Sequence, residues 1–137
     1  HFSLYRTSIT MWKEQPLFGF GLKSFRIKCW EILPRVANRS CSTHSHNYYF
    51  ELLSEAGIVG AGLIVLFFLI LLKDSYYYLR KYNEKEYSDL VFIIPVIIVV
   101  FLEIWPLKSS GSFFTTWNAT LFWLNVSILM AVNKKSI

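Results

Sequence analysis

The sequence predicts an all-α, polytopic membrane protein with three transmembrane helices and a long N-terminal extracytoplasmic loop. Three observations lead there. The 137 residues are 54% hydrophobic with a mean hydropathy of +0.39, too apolar for an ordinary soluble domain of this length. Three apolar runs, Ala56 to Leu72, Leu90 to Trp105 and Trp117 to Val132, lie near the lower end of the roughly 17 to 25 residues that cross a bilayer as a helix. Aromatic side chains mark their ends: Tyr76, Tyr77 and Tyr78 follow the first, Trp105 closes the second, and Phe113, Phe114 and Trp117 open the third.

Residues 1–47 read as a polar, basic loop outside the membrane, and residues 48–137 as the membrane domain. The chain opens on His1 without a signal-peptide pattern, which predicts the C-terminal piece of a longer protein. Arg6, Lys13, Lys23, Arg26, Lys28, Arg35 and Arg39 face only Glu14 and Glu31 before His46, so the whole formal excess of +5 sits there. Beside membrane spans such a segment attracts anionic headgroups or a phosphorylated substrate rather than nucleic acid. Cys29 and Cys41 form a disulfide or remain two thiols; a zinc site with His44 and His46 fits none of the common spacings. Gly19-Phe20-Gly21 is a turn, because no G-K-[ST] or G-x-G-x-x-G completes a nucleotide loop.

Asn47 is a helix N-cap, and the turn it opens has Tyr49, Leu52, Leu53 and Ala56 on one side and Glu51 and Glu55 on another. That pattern predicts a turn at the interface before the chain enters lipid. Gly57, Gly60 and Gly62 then permit close helix packing, the whole role expected for Gly62. Lys73, Arg80, Lys81 and Lys85 after the first span, with Lys134 and Lys135 after the last, place both segments in the cytoplasm; residues 106–116 carry only Lys108. Within the later spans, Pro95 predicts a kink, and Glu103 near a helix end is structural or interfacial.

Chemistry concentrates around His44-Ser45-His46-Asn47, at the mouth of the first span. A neutral imidazole at His46 can take a proton from a sugar hydroxyl; a backbone-bonded loop histidine is the bland alternative. His44 orients it or is simply exposed. Arg6, Arg26, Arg35 and Arg39 suit a diphosphate, because guanidinium makes bidentate, permanently charged contacts to phosphate oxygens. Asn47 and His44 complete the substrate-binding candidates.

His46-Asn47, nine residues and then Gly57-x-x-Gly60 resembles the H-[NSQ]-x9-G-x-x-G pattern of the bacterial O-antigen ligase and polymerase family. Arg6 to Trp12 is similar to that family's R-x5-W segment, Pro16-Leu17-Phe18-Gly19-Phe20-Gly21 to its P-L-x-G-x-G turn, and Ser110 to Phe114 to a later stretch. The resemblance implies an inverting, metal-independent glycosyltransferase of the inner membrane, without a cofactor, whose donor is a glycan on undecaprenyl diphosphate. The acceptor it implies is a lipid A core, a growing polysaccharide or a protein. Arg6 then contacts the diphosphate and His46 activates the acceptor hydroxyl. Family members have about a dozen spans, so this chain alone is expected to be inactive. A transporter or flippase subunit, in which His46 titrates without catalysing, is the competing class and predicts a polar path through several spans; an accessory protein without chemistry is a third.

Overall fold

The computed structural model describes residues 2–32, 41–81 and 87–135, which form five helices: α1 (Phe2–Glu14), α2 (Phe25–Ile32), α3 (Tyr48–Lys81), α4 (Tyr87–Glu103) and α5 (Thr116–Lys135). There is no strand among the described residues. Arg35 and Arg39 lie outside them.

The segment expected to be a loop holds α1 and α2. Leu4, Thr7, Ser8 and Met11 fall at helical spacing and are buried, so α1 has a packed face despite its polar composition. That face meets Phe25, Cys29 and Ile32 of α2 in a small core of its own. Cys29 and Cys41 form a disulfide that fastens the end of α2 to the approach to α3. The bond consumes both sulfurs, which removes the thiolates a zinc site would have needed.

Helix α3 is broken at Gly57, whose φ of 67° and ψ of −171° interrupt the helical ladder. A break exposes carbonyls on one side and N–H groups on the other, and each must find a partner. The Pro16–Gly21 turn supplies them. Ile58 and Val59 N–H donate to the carbonyls of Pro16 and Leu17 at 2.9 and 3.2 Å, while Phe20 and Gly21 N–H donate to Ser54 and Glu55 carbonyls at 3.2 and 2.9 Å. The two backbones approach so closely that a Cβ on Gly19 would lie 2.5 Å from the Glu55 carbonyl, and one on Gly57 would collide with the Leu17 carbonyl. The two glycine motifs noticed separately in the sequence are thus the two halves of one joint. Gly62, by contrast, faces open space, so the packing role expected for it is not seen.

Glu51 and Glu55 depart from the expected interfacial side. Both are buried, at 2% and 1% exposure, because each carboxylate satisfies backbone donors distant in sequence. Glu55 accepts from the N–H groups of Lys23 (2.6 Å) and Phe25 (3.0 Å) and caps α2 from outside, where the helix dipole favours an anion. Glu51 accepts from Ser112 Oγ (2.5 Å) and Phe113 N–H (2.7 Å), gripping the turn before α5.

From Tyr48 to Arg80 α3 is long and apolar enough to cross a membrane; Val91–Glu103 and Thr116–Val132 are shorter apolar helices. The structure therefore gives one helix of clear spanning length where the sequence predicted three spans. Helix α4 continues through Pro95 and stops at Glu103, shortly before Pro106, which cannot donate into a further turn. Helix α5 packs against both α3 and α4. Phe68, Phe113 and Phe122 form the centre of that contact, with ring centroids 5.8 to 6.4 Å apart in edge-to-face geometry. Meanwhile Leu63, Leu66 and Leu69 point outward from α3, an apolar surface suited to lipid.

Candidate active site

His46 and Asn47 sit where α3 begins, and the strand-free turn after α4 holds them. Asn47 is the N-cap expected of it: its Oδ1 accepts from Tyr49 N–H at 3.0 Å and from Phe50 N–H at 3.4 Å. Its Nδ2 donates to the carbonyls of Pro106 and Lys108 at 2.8 and 3.2 Å. Ser110 N–H donates to the His46 carbonyl at 3.0 Å. Tyr49 hydroxyl adds a bond to the Ile104 carbonyl, and Tyr48 hydroxyl reaches Glu103, which is also paired with Lys108 at 2.7 Å. Glu103 is thus a fastening at the end of α4.

This scaffold keeps His46 at a φ of 60°, a left-handed conformation that costs a non-glycine residue roughly 1–2 kcal/mol. Strain of this kind persists only where surrounding bonds over-determine it, and it concentrates at functional sites. The His46 ring shares a 3.4 Å hydrogen bond between Nε2 and Ser42 Oγ. The His44 ring lies 4.2 Å from it, centroid to centroid. Thr43 Oγ1 meets His44 Nδ1 at 3.0 Å, whereas His44 Nε2 is buried and has no hydrogen-bond partner among the described residues. Desolvation, reinforced by the neighbouring His44 charge, lowers the His46 pKa below the ordinary 6.5. At neutral pH the imidazole is therefore uncharged, the form a general base requires.

Asn47→Asp isolates the tether from the cap. Aspartate keeps an acceptor for the Tyr49 N–H but turns an acceptor toward the Pro106 and Lys108 carbonyls. We expect a lower thermal midpoint in detergent, corresponding to about 1–3 kcal/mol for the two unmade bonds. An unchanged midpoint would show that the 106–110 turn does not hold this segment.

Of the other sequence candidates, Arg6 lies exposed on α1, one residue from Tyr5, whose ring stacks on Phe50 at 4.5 Å. That contact sets Arg6's helix beside the first turn of α3. Arg26 is on the exposed face of α2. Asn47, expected to bind substrate, is 4% exposed with its amide already engaged. Sequence reasoning missed Glu51, Glu55 and Ser110 as supports, since their partners lie up to 64 positions away. Between α4 and α5 a cleft of about 190 Å³ is flanked by Glu103, Asn118 and Asn125. Asn125 Nδ2 bonds its own helix at Leu121 O, 2.8 Å, and Glu103 is engaged as above, so neither needs a transported ligand.

These features define a class: an all-helical protein with a helix of membrane-spanning length and a strained histidine held at its mouth. Residues 2–65, just under half of the chain, match the sequence model of the O-antigen ligase family. The match takes in α1, α2, the histidine segment and the Gly57 joint. Neither the curated proteins nor the solved structures contain a match.

Proposed function

We propose that this chain is the catalytic part of an O-antigen ligase-like glycosyltransferase in the bacterial inner membrane, with residues 1–47 on the periplasmic side and α3, α4 and α5 as spans. It transfers a glycan from undecaprenyl diphosphate to a hydroxyl on a lipid A core or growing polysaccharide. The observation that carries this reading is the left-handed, tethered His46 within the family segment. Neutral His46 removes the proton as the acceptor oxygen attacks the sugar carbon; the bond to the diphosphate breaks with inversion, and the diphosphate leaves with the electron pair. Arg6 neutralises the charge that develops there, which lowers the barrier without a metal. Arg35 and Arg39 are further cations for the same diphosphate in this reading, and His44 orients the base.

The lowered His46 pKa has a measurable sign. Its proton-free form is lost as pH falls through a value below 6.5, so the transfer rate should drop on the acid side of that point and stay level across neutrality. A pH–rate profile of the full-length protein in vesicles checks this. A profile without an acidic limb would remove His46 from the role of base. The transporter reading finds less support, because the side chains of Ser127, Thr120 and Asn125 of α5 are already bonded to carbonyls of their own helix at 2.7 to 2.8 Å.

A further inference from the structure

Helix α2 has two apolar faces, and the protein interior uses only one. At 100° per residue, Phe25, Cys29 and Ile32 share the side turned to α1 and are no more than 3% exposed. Ile27 and Trp30 fall on another side together with Arg26, and both are 61% exposed. The preceding turn extends this surface, with Leu17, Phe18 and Leu22 exposed by 58%, 72% and 64% and the Lys23 side chain beside them. Aromatic and aliphatic groups interleaved with cations are the composition of a segment lying in a membrane interface.

The joint at Gly57 fixes the height of this surface. Because the Pro16 and Leu17 carbonyls bond Ile58 and Val59, the turn is level with the first exposed apolar residues of α3. Ile58 and Val59 are themselves 51% and 43% exposed, so the outward apolar surface of α3 continues onto the turn and from there to α2. We propose that α2 and the turn before it form a platform resting on the bilayer that α3 crosses. Leu17, Phe18, Ile27 and Trp30 enter the acyl boundary, while Lys23 and Arg26 meet the phosphates of anionic headgroups. Arg26 is thereby assigned to bulk lipid rather than to the donor diphosphate. The disulfide and the Glu55 cap connect this platform to the histidine segment, so it holds His46 at the level where a lipid-borne diphosphate resides. The inference rests on the membrane reading of α3, independently of the transferase chemistry.

Tryptophan quenching in vesicles tests it. The full-length protein is reconstituted in phosphatidylcholine with increasing phosphatidylglycerol, using lipids brominated either just below the headgroup or near the bilayer centre. The difference between wild type and Trp30→Phe isolates the emission of an exposed side chain whose replacement leaves the core intact. The expected result is strong loss of that emission with shallow bromines, little with deep ones, and protection from aqueous iodide. Lys23→Gln with Arg26→Gln should weaken the shallow quenching on phosphatidylglycerol vesicles; unchanged quenching would overturn the role given to charge. Quenching of Trp30 by iodide alone, or by neither agent because protein covers it, overturns the platform. Trp117 and Trp123 on α5 separate the two levels of failure. If bromines quench them but spare Trp30, only the platform is wrong; if bromines quench no tryptophan, the membrane reading is wrong as well.

Discussion

His46→Ala is expected to abolish the glycan product while leaving the protein in the membrane at its normal level. The substitution removes the imidazole, whereas the bonds that hold this segment run through the His46 carbonyl and the Asn47 amide and remain available. Loss of a general base costs about 10²–10⁴-fold in rate, enough to empty a glycan ladder on a gel. Cells lacking the protein, complemented with wild-type or mutant full-length protein and matched for membrane abundance, give the readout. Single capped repeats in the mutant would indicate a polymerase; accumulated lipid-linked polymer would indicate a ligase. A wild-type ladder from the mutant would remove His46 as base and move the transport or accessory readings forward. Alanine also accepts a φ of 60° no better than histidine does, so the backbone strain is common to both proteins and cannot explain a difference.

The largest structural effect is expected at the joint between the two glycine motifs. Gly57→Ala meets two penalties at once. A left-handed backbone costs a residue with a Cβ roughly 1–2 kcal/mol, and the new methyl collides with the Leu17 carbonyl and comes within 2.5 Å of Phe18 N. The collision is with backbone, so relief requires the turn to withdraw and its four bonds across the break to open. With each bond worth about 0.5–1.5 kcal/mol net, the total reaches several kcal/mol, a large part of a typical domain's stability. Gly62→Ala is the internal control, since nothing lies within 4 Å of its added Cβ. We expect Gly57→Ala to be depleted from membranes or unfolded at low temperature in detergent, and Gly62→Ala to resemble wild type. Equal stability of the two variants would mean that the turn does not enter the break.

Much of the site was readable from residue order, because its signals are local. An asparagine before an apolar helix caps it through the N–H groups two and three residues on, so Asn47 needed no tertiary information. The apolar runs likewise located α4 and α5 to within a few residues, although the first span's helix begins earlier, at the cap. What escaped was governed by partners far away in the chain. Glu51 and Glu55 have the spacing of a solvated helix face, and only donors 62 and 30 positions distant turn them into buried anchors. Helix α2 was hidden for a related reason: its cap is not Ser24, whose hydroxyl has no partner among the described residues, but a carboxylate from α3. Nor does any local pattern announce the left-handed His46, which the turn after α4 imposes.

The stretch of α3 between the Asn47 cap and the Gly57 joint also acts as a ruler. Both of its ends are pinned, one by carbonyls of the turn after α4 and the other by the Pro16–Gly21 backbone. Adding a single residue between them would swing His46 by about 100° around the helix axis and lift it by about 1.5 Å relative to the joint. Seven added residues would nearly restore the angle but raise the histidine by about 10 Å, away from any phosphate held at membrane level. The nine-residue interval is therefore a phase and a height at once, and length variation in this protein should collect everywhere except there.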